Sequence, residues 1–108
     1  MRVIYDQHFL NDKKLLLFIA ESAEIKNEDN ILEVGPGKGP LTWQILEKKP
    51  KSLTSIELDE DFSEYLQTIK KRFKNFSFLL GNSLELIDTI EFNKLVANIP
   101  YSITEPLS

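Results

Sequence analysis

The chain has 108 residues, a net charge of −4, and 42% hydrophobic and 28% charged residues, which is the composition of an ordinary globular protein. It contains no cysteine, so disulfides and thiolate metal sites are excluded. No apolar run is long enough to cross a bilayer, and the first residues lack the pattern of a secretory signal. We therefore expect a single intracellular domain with no membrane and no metal partner.

The first 30 residues predict an arm, a helix and a connector. Residues 1–10 mix polar and aromatic side chains without a helical period, so we interpret them as an extended arm. Asn11 or Asp12 can cap a helix that runs to Ser22 or Ala23. A polar connector then covers residues 25–30.

The most informative stretch is 31–42, where a strand, a tight turn and a helix start follow one another. Gly35, Gly37 and Gly39 let the backbone take a positive φ and let a ligand lie close to the main chain. Pro40 suits the first helical turn. The turn resembles that of dinucleotide-binding units, in which an acid about 20 positions on holds the ribose hydroxyls, and Glu57 lies at that distance. Glycines can also serve only packing, but this context favours a nucleoside-cofactor site.

The rest of the chain alternates strands and helices. The predicted strands are 31–34, 53–57, 76–80 and 94–97, and the predicted helices are 40–48, one carrying Phe62, Tyr65, Leu66, Ile69 and Phe73, and 84–89. This alternation predicts an α/β fold with a parallel sheet and ligands beyond the carboxyl ends of the strands. Gly35, Glu57, Asn82 and Asn98 should then converge on one crevice. One edge of such a sheet would be uncovered.

The fourth predicted strand leads into Asn98-Ile99-Pro100-Tyr101, which resembles the loop of an S-adenosylmethionine-dependent methyltransferase that acts on an exocyclic amine. An adenine amine is a poor nucleophile because its lone pair is delocalised into the ring. The Asn98 side-chain oxygen and a backbone carbonyl could accept both amine hydrogens and turn that lone pair outwards. Pro100 stiffens the loop, and Tyr101 offers a flat face to an unstacked base.

Four ordered motifs make the resemblance more specific. Gln7-His8-Phe9-Leu10, the stretch from Glu33 to Thr42, Ile56-Glu57-Leu58-Asp59 and the loop from Asn98 to Thr104 are similar to motifs of the ribosomal RNA adenine dimethyltransferases of the KsgA type. That family has a Rossmann-like fold with helices on both faces of the sheet. The resemblance implies dimethylation of two adjacent adenines near the 3′ end of small-subunit rRNA, in the cytoplasm, by a monomer.

The same resemblance implies roles for individual residues. The cofactor S-adenosylmethionine would be bound by His8, Leu10, Glu33, Gly35, Gly37, Glu57, Asn82 and Asn98, and the catalytic residues would be Asn98, Pro100 and Tyr101. Glu57 would bind the ribose, Asn82 would meet the adenine ring, and Tyr101 would stack on the target base. Asn82 departs from the family, which usually has an acid there, and this predicts weaker cofactor binding.

Other interpretations stay open at this stage. The family's members continue beyond the catalytic loop, so we expect residues 1–108 to be the N-terminal part of a class I methyltransferase catalytic domain, whose activity alone is open. The related resistance methyltransferases of large-subunit rRNA share the glycine turn and the catalytic loop. A DNA adenine methyltransferase, a non-catalytic binding module and a nicotinamide dehydrogenase are more distant alternatives. Two basic clusters, 48–51 and 70–74, are interpreted as solvated helix ends.

Overall fold

A computed structural model describes residues 2–6 and 19–99 of the chain, and it describes the side chains from residue 19 to 97. The described residues form one parallel sheet of five strands: β1 (Arg2–Asp6), β2 (Asn30–Val34), β3 (Ser52–Glu57), β4 (Phe76–Leu80) and β5 (Lys94–Ile99). Their order across the sheet is β1-β5-β2-β3-β4. The helices are α1 (19–22), α2 (Pro40–Glu47), α3 (Ser63–Arg72) and α4 (Ser83–Leu86), with 3₁₀ turns at Glu60–Phe62 and Ile87–Thr89.

The order in which the chain adds strands to the sheet reverses at β2. From β2 the chain moves outwards to β3 and β4, and it then returns to lay β5 on the other side of β2. In open parallel sheets such a switch point opens a crevice beyond the carboxyl ends of the strands. The crevice between β2 and β5 is therefore where the fold favours a ligand.

The core lies where the helices pack on the sheet. Its fully buried members come from α1, the three strands β2, β3 and β5, and the helices α2 and α3: Ile19, Ile31, Leu32, Ile45, Leu46, Leu53, Leu66, Ile69 and Val96. Continuous apolar residues in strands are typical of a parallel sheet covered by helices. The α/β fold predicted from the sequence is confirmed.

The structure adds to one part of the prediction and corrects two others. The arm contains strand β1, which pairs in parallel with β5 from Arg2 opposite Leu95 to Asp6 opposite Ile99. The edge of β5 is therefore covered, and β5 continues to Ile99 instead of ending at residue 97. Tyr65 belongs to the apolar face in the sequence pattern, yet it is 46% exposed, beside Lys38.

Candidate functional site

The glycine turn joins β2 to α2, and its glycines have different surroundings. Gly39 has φ +94°, and a Cβ there would lie 2.4 Å from Cδ1 of Ile69, so this glycine lets α3 pack against the start of α2. Gly37 has φ +59°, and a Cβ there would meet no described atom within 4 Å. Packing therefore accounts for Gly39, whereas Gly37 is itself buried and no described side chain occupies the position of a Cβ there.

Glu57 ends β3 and ties the glycine turn to it. One carboxylate oxygen accepts the N–H of Gly37 at 2.8 Å, and the other accepts the N–H of Asp59 at 2.9 Å. The residue is 6% exposed. A carboxylate has about four acceptor positions, so two remain for donors from a ligand. Glu57 is therefore fixed in place and still able to accept a pair of hydroxyls.

Glu33 lies in β2, one residue before the strand ends, and is completely buried. Its Oε1 accepts the hydroxyls of Thr42 at 2.6 Å and Ser55 at 2.7 Å. Its Oε2 has no hydrogen-bond partner among the described residues. Burial raises the pKa of Glu33 to about 7, helped by the charge of Glu57 and opposed by the two hydroxyls. The site therefore contains a buried carboxyl group with one oxygen unused.

Thr42 and Ser55 are site residues that the sequence analysis missed. Thr42 follows Leu41 in α2, and Ser55 lies opposite Glu33 in the register of β2 and β3. The available signal was the alternation of β3, because Ser55 and Glu57 share one face of that strand. Only the register shows that this face meets Glu33.

Asn82 lies just beyond β4, at the same edge of the sheet. The N–H of Gly81 donates to the backbone carbonyl of Glu57 at 2.9 Å, which holds the two strand ends together. The side-chain oxygen of Asn82 accepts the N–H of Leu84 at 2.9 Å and so caps α4. Leu58 and Leu84 are 75% and 83% exposed. This edge thus combines polar groups with exposed apolar ones, as a binding site for a flat ring requires.

The structure brings most of the predicted cofactor residues to one edge. Glu33, Gly35, Gly37, Glu57 and Asn82 all lie at or beyond the carboxyl ends of β2, β3 and β4. Asn98 lies in β5, whose Ala97 is opposite Val34 in the register with β2. The side chain of Asn98 is not described, and His8, Leu10, Pro100 and Tyr101 lie outside the described residues. The roles assigned to all these residues stay predictions.

A second polar cluster lies at the opposite, amino end of the sheet. Asp29 forms an ion pair with Lys94 at 2.8 Å and accepts hydrogen bonds from Asn93 at 2.8 Å and from the N–H of Lys26 at 2.7 Å. Lys94 also donates to the carbonyl of Glu24. These partners lower the pKa of Asp29 to about 2. Every oxygen of this carboxylate is occupied, so the cluster serves to anchor β2 to β5.

Two other kinds of site are absent from the described ranges. No group of three or more potential ligands that could hold a metal ion occurs in 2–6 and 19–99. No helix among these residues is long and apolar enough to span a membrane.

Comparison with known proteins gives the family. A model of the ribosomal RNA adenine dimethylase family matches residues 1–108. A ribosomal RNA small subunit methyltransferase A of Clostridium botulinum is 43% identical over 106 residues, which cover 94% of this chain and 38% of that protein. A relative of the same name from Prochlorococcus marinus is also 43% identical, over 95% of this chain and 37% of its own length. The chain thus spans under two fifths of these relatives.

Solved structures also resemble the chain, at sequence identities of 30% and more. The 23S rRNA methyltransferase ErmE superposes with a TM-score of 0.71 at 30% identity, over 89% of this chain and 39% of that one. A dimethyladenosine transferase from Plasmodium falciparum superposes with a TM-score of 0.62 at 32% identity, over 97% and 36%. Fold, motifs and sequence agree, and the chain belongs to the ribosomal RNA adenine dimethylase family.

Proposed function

We propose that the protein transfers methyl groups from S-adenosylmethionine to N6 of two adjacent adenines near the 3′ end of small-subunit rRNA, during ribosome biogenesis in the cytoplasm. The observation that carries this proposal is the carboxylate of Glu57, held by the N–H groups of Gly37 and Asp59 at the end of β3. In this proposal residues 1–108 are the N-terminal part of a class I methyltransferase catalytic domain.

The described residues fit this cofactor. Glu57 keeps acceptor positions for the two ribose hydroxyls, and the absence of a described atom within 4 Å of a Cβ placed at Gly37 is consistent with a ligand lying against the main chain. Leu58 and Leu84 offer apolar contact to a purine ring, with Asn82 between them in the sequence. The unused oxygen of Glu33 is an acceptor near the turn, and the carboxylate form of Glu33 would suit a cationic ligand. Bound S-adenosylmethionine would supply a methyl group that its sulfonium already activates, so positioning would be the main task of the protein.

The target amine would be held by the loop that begins at Asn98. The side-chain oxygen of Asn98 would accept one amine hydrogen and a loop carbonyl the other, so that the nitrogen lone pair leaves the plane of the ring. Tyr101 would stack on the adenine, and Pro100 would keep the loop stiff. Support for this step comes from the sequence motif and from the position of β5, which lies next to β2 and its glycine turn.

The small subunit is favoured over the large subunit as the substrate. The relatives named small subunit methyltransferase A are 43% identical to this chain, whereas the 23S rRNA methyltransferase ErmE is 30% identical. The likeness to ErmE nevertheless makes methylation of large-subunit rRNA the second candidate, because its TM-score is 0.71.

Calorimetric titration of S-adenosylhomocysteine tests the cofactor site without any turnover. We expect saturable one-site binding to the wild-type chain and a loss of affinity of about 100-fold in Glu57→Ala, since hydrogen bonds to a charged group contribute roughly 1.5–3 kcal/mol each. Glu64→Ala removes an exposed acid from α3 and is the matched control. Equal affinities in the wild type and Glu57→Ala would refute the site.

Methyl transfer from labelled S-adenosylmethionine tests the substrate. The complete gene product should label unmethylated small ribosomal subunits and leave bare large-subunit rRNA unlabelled. The reverse pattern would establish the second candidate. Binding of the cofactor without transfer to either RNA would show a non-catalytic module.

A further inference from the structure

Two basic segments that are distant in the sequence meet at the amino end of the sheet. Segment 48–51 connects α2 to β3, and segment 70–74 covers the end of α3 and the start of the connection to β4. The side chain of Asn75 donates to the carbonyl of Pro50 at 2.9 Å, and the N–H of Leu53 donates to the carbonyl of Asn75 at 2.9 Å. The two connections therefore lie side by side.

Their seven cations form what we call the basic pole: Lys48, Lys49, Lys51, Lys70, Lys71, Arg72 and Lys74. All are exposed except Lys48, which is half-buried. They are seven of the 13 Lys and Arg residues of the chain, and only one of its 17 acidic residues, Glu47, lies within 47–51 or 70–75. The two segments that form the basic pole are therefore strongly positive, although the chain has a net charge of −4.

The cations of the basic pole are not neutralised within the described part of the chain. None of them forms an ion pair with a described carboxylate, whereas Lys94 does so with Asp29. Among the described residues, Arg72 makes a cation–π contact, with its guanidinium 5.8 Å from the ring centre of Trp43. The charges of the pole are therefore free to meet an anion from outside.

Stabilisation of helix ends explains only half of the pole. Lys70, Lys71 and Arg72 do lie in the last turn of α3, where cations suit the helix dipole. The last turn of α2 contains no basic residue, but Lys48 is the C-cap of that helix, where a cation also suits the dipole. Lys49 follows that helix with φ +58°, a conformation that costs a non-glycine residue free energy. Helix ends thus account for Lys48 and for the cations in the last turn of α3, whereas Lys51 and Lys74 lie beyond both helices and have no such role.

We infer that the basic pole is a second contact surface for RNA, which binds phosphates of the substrate at the end of the sheet opposite the cofactor site. This inference rests on the proposed function. Strands of five or six residues separate the two ends by about 17–20 Å. A ligand that contacts both ends at once must span at least this distance, as a polynucleotide substrate does. The aromatic neighbours Trp43 and Phe73 are half-buried against each other, so the pole offers charge and no stacking surface. Its contacts are then to the backbone of a duplex and independent of sequence.

The test is the salt dependence of RNA binding. We would measure the affinity of the chain for a labelled RNA duplex of about 20 base pairs between 50 and 200 mM salt. Lys49→Gln and Lys74→Gln take one exposed cation from each connection, and Lys26→Gln removes an exposed lysine that lies outside the pole. A plot of log affinity against log salt has a negative slope. Its magnitude should decrease by roughly 0.7–0.9 for each pole variant and by about twice that in the double variant, with no change for Lys26→Gln.

Two results would overturn the inference. One is a double variant with the slope and affinity of the wild type. The other is binding to vesicles with 30% phosphatidylserine that equals RNA binding and depends on the same lysines, which would make the pole a lipid surface. Titration of S-adenosylhomocysteine into the same variants keeps the two proposals separate. If the pole variants bind both the cofactor analogue and RNA as the wild type does, the basic pole is rejected and the proposed function is kept. If the wild type itself does not bind S-adenosylhomocysteine, the proposed function is rejected.

Discussion

Two buried carboxyl groups stand at opposite ends of β2, and their surroundings differ. Asp29, just before the strand, is 4% exposed and has a partner on each oxygen, including the ammonium of Lys94. Glu33, near the other end, is 0% exposed, faces two hydroxyls and has one oxygen without a described partner. The pKa of Asp29 is lowered to about 2, and that of Glu33 is raised to about 7.

The difference indicates which end of the sheet is structural and which is functional. A fully paired buried charge stabilises the fold and has no capacity left for a ligand. A buried carboxyl with an unused oxygen costs free energy, and proteins keep such groups where a ligand completes them. This contrast supports the proposal that the carboxyl ends of β2 and β3 form the ligand-binding edge, which we call the working edge, and that the amino end of β2 is its anchor.

Removing Asp29 should have the largest effect on stability. Asp29→Ala leaves Lys94 without its counter-ion and should lower the free energy of unfolding by about 3 kcal/mol, measured by urea denaturation. Asp88→Ala removes an exposed acid and is the control. The affinity of the folded variant for S-adenosylhomocysteine should stay unchanged. A loss of cofactor affinity at full folding would mean that the two ends are not separate.

The two carboxyl groups should make the free energy of unfolding depend on pH in opposite directions. The pKa of Asp29 is lowered in the folded state, so its contribution to stability is present above pH 4 and is lost as the pH falls towards 2. The pKa of Glu33 is raised, so the folded state binds its proton more tightly and stability is lost as the pH rises from about 4.5 to 7. Between pH 5 and 8 we expect a fall of about 2 kcal/mol from Glu33.

Glu33→Gln should remove that fall, because an amide does not titrate in this range. Its side-chain oxygen can still accept the hydroxyls of Thr42 and Ser55, while its buried NH₂ adds a cost that is constant with pH. The measurement is the free energy of unfolding at pH 5, 6, 7 and 8 in both proteins. Parallel curves for the wild type and Glu33→Gln would show that Glu33 does not titrate there.

The two glycines of the turn allow a matched comparison within the working edge. Gly39→Ala meets Ile69 at 2.4 Å and should lower stability by about 1.5 kcal/mol, the larger loss of the two. Gly37→Ala meets no described atom, so it should lower stability by only about 1 kcal/mol while it weakens S-adenosylhomocysteine binding about tenfold. Equal losses of affinity in both variants would remove the distinction between a packing glycine and a ligand-facing one.

The smallest expected change in cofactor affinity comes from a substitution at Asn82. Asp caps a helix as well as Asn does, so Asn82→Asp keeps the bond to the Leu84 N–H and adds a charged acceptor for the cofactor's adenine amine. Calorimetry should show about fivefold tighter binding of S-adenosylhomocysteine. Asn27→Asp makes the same charge change in an exposed turn and should have no effect. Identical affinities in Asn82→Asp and the wild type would refute this prediction.

Local patterns were enough to predict β2 to β5 and the glycine turn. The apolar runs, the Pro40 helix start and the spacing of Gly35 to Glu57 are all encoded within short segments. The strand character of residues 2–6 was missed because it depends on pairing with β5, which lies more than 90 residues further along the chain. Parallel pairing over such a separation has no local signature.

The sequence predicted where the main residues of the proposed site lie, but it did not predict the residues that support them. Glu57 was recognised by its distance from the glycines. The hydroxyls of Thr42 and Ser55 were not, because their function follows from the register of β2 and β3 and from where α2 packs. The anchor of Asp29 and Lys94 was missed for the same reason, since the two residues are 65 positions apart.

One titration compares both ends of the sheet directly. In ¹⁵N-resolved NMR spectra recorded while S-adenosylhomocysteine is added, the amides of Gly37 and Asp59, which donate to Glu57, should shift in a saturable way, and the amides of Lys26 and Ser52 at the anchor should not move. Shifts confined to the anchor, or no shift of Gly37 and Asp59 at saturating ligand, would contradict the assignment of the cofactor site.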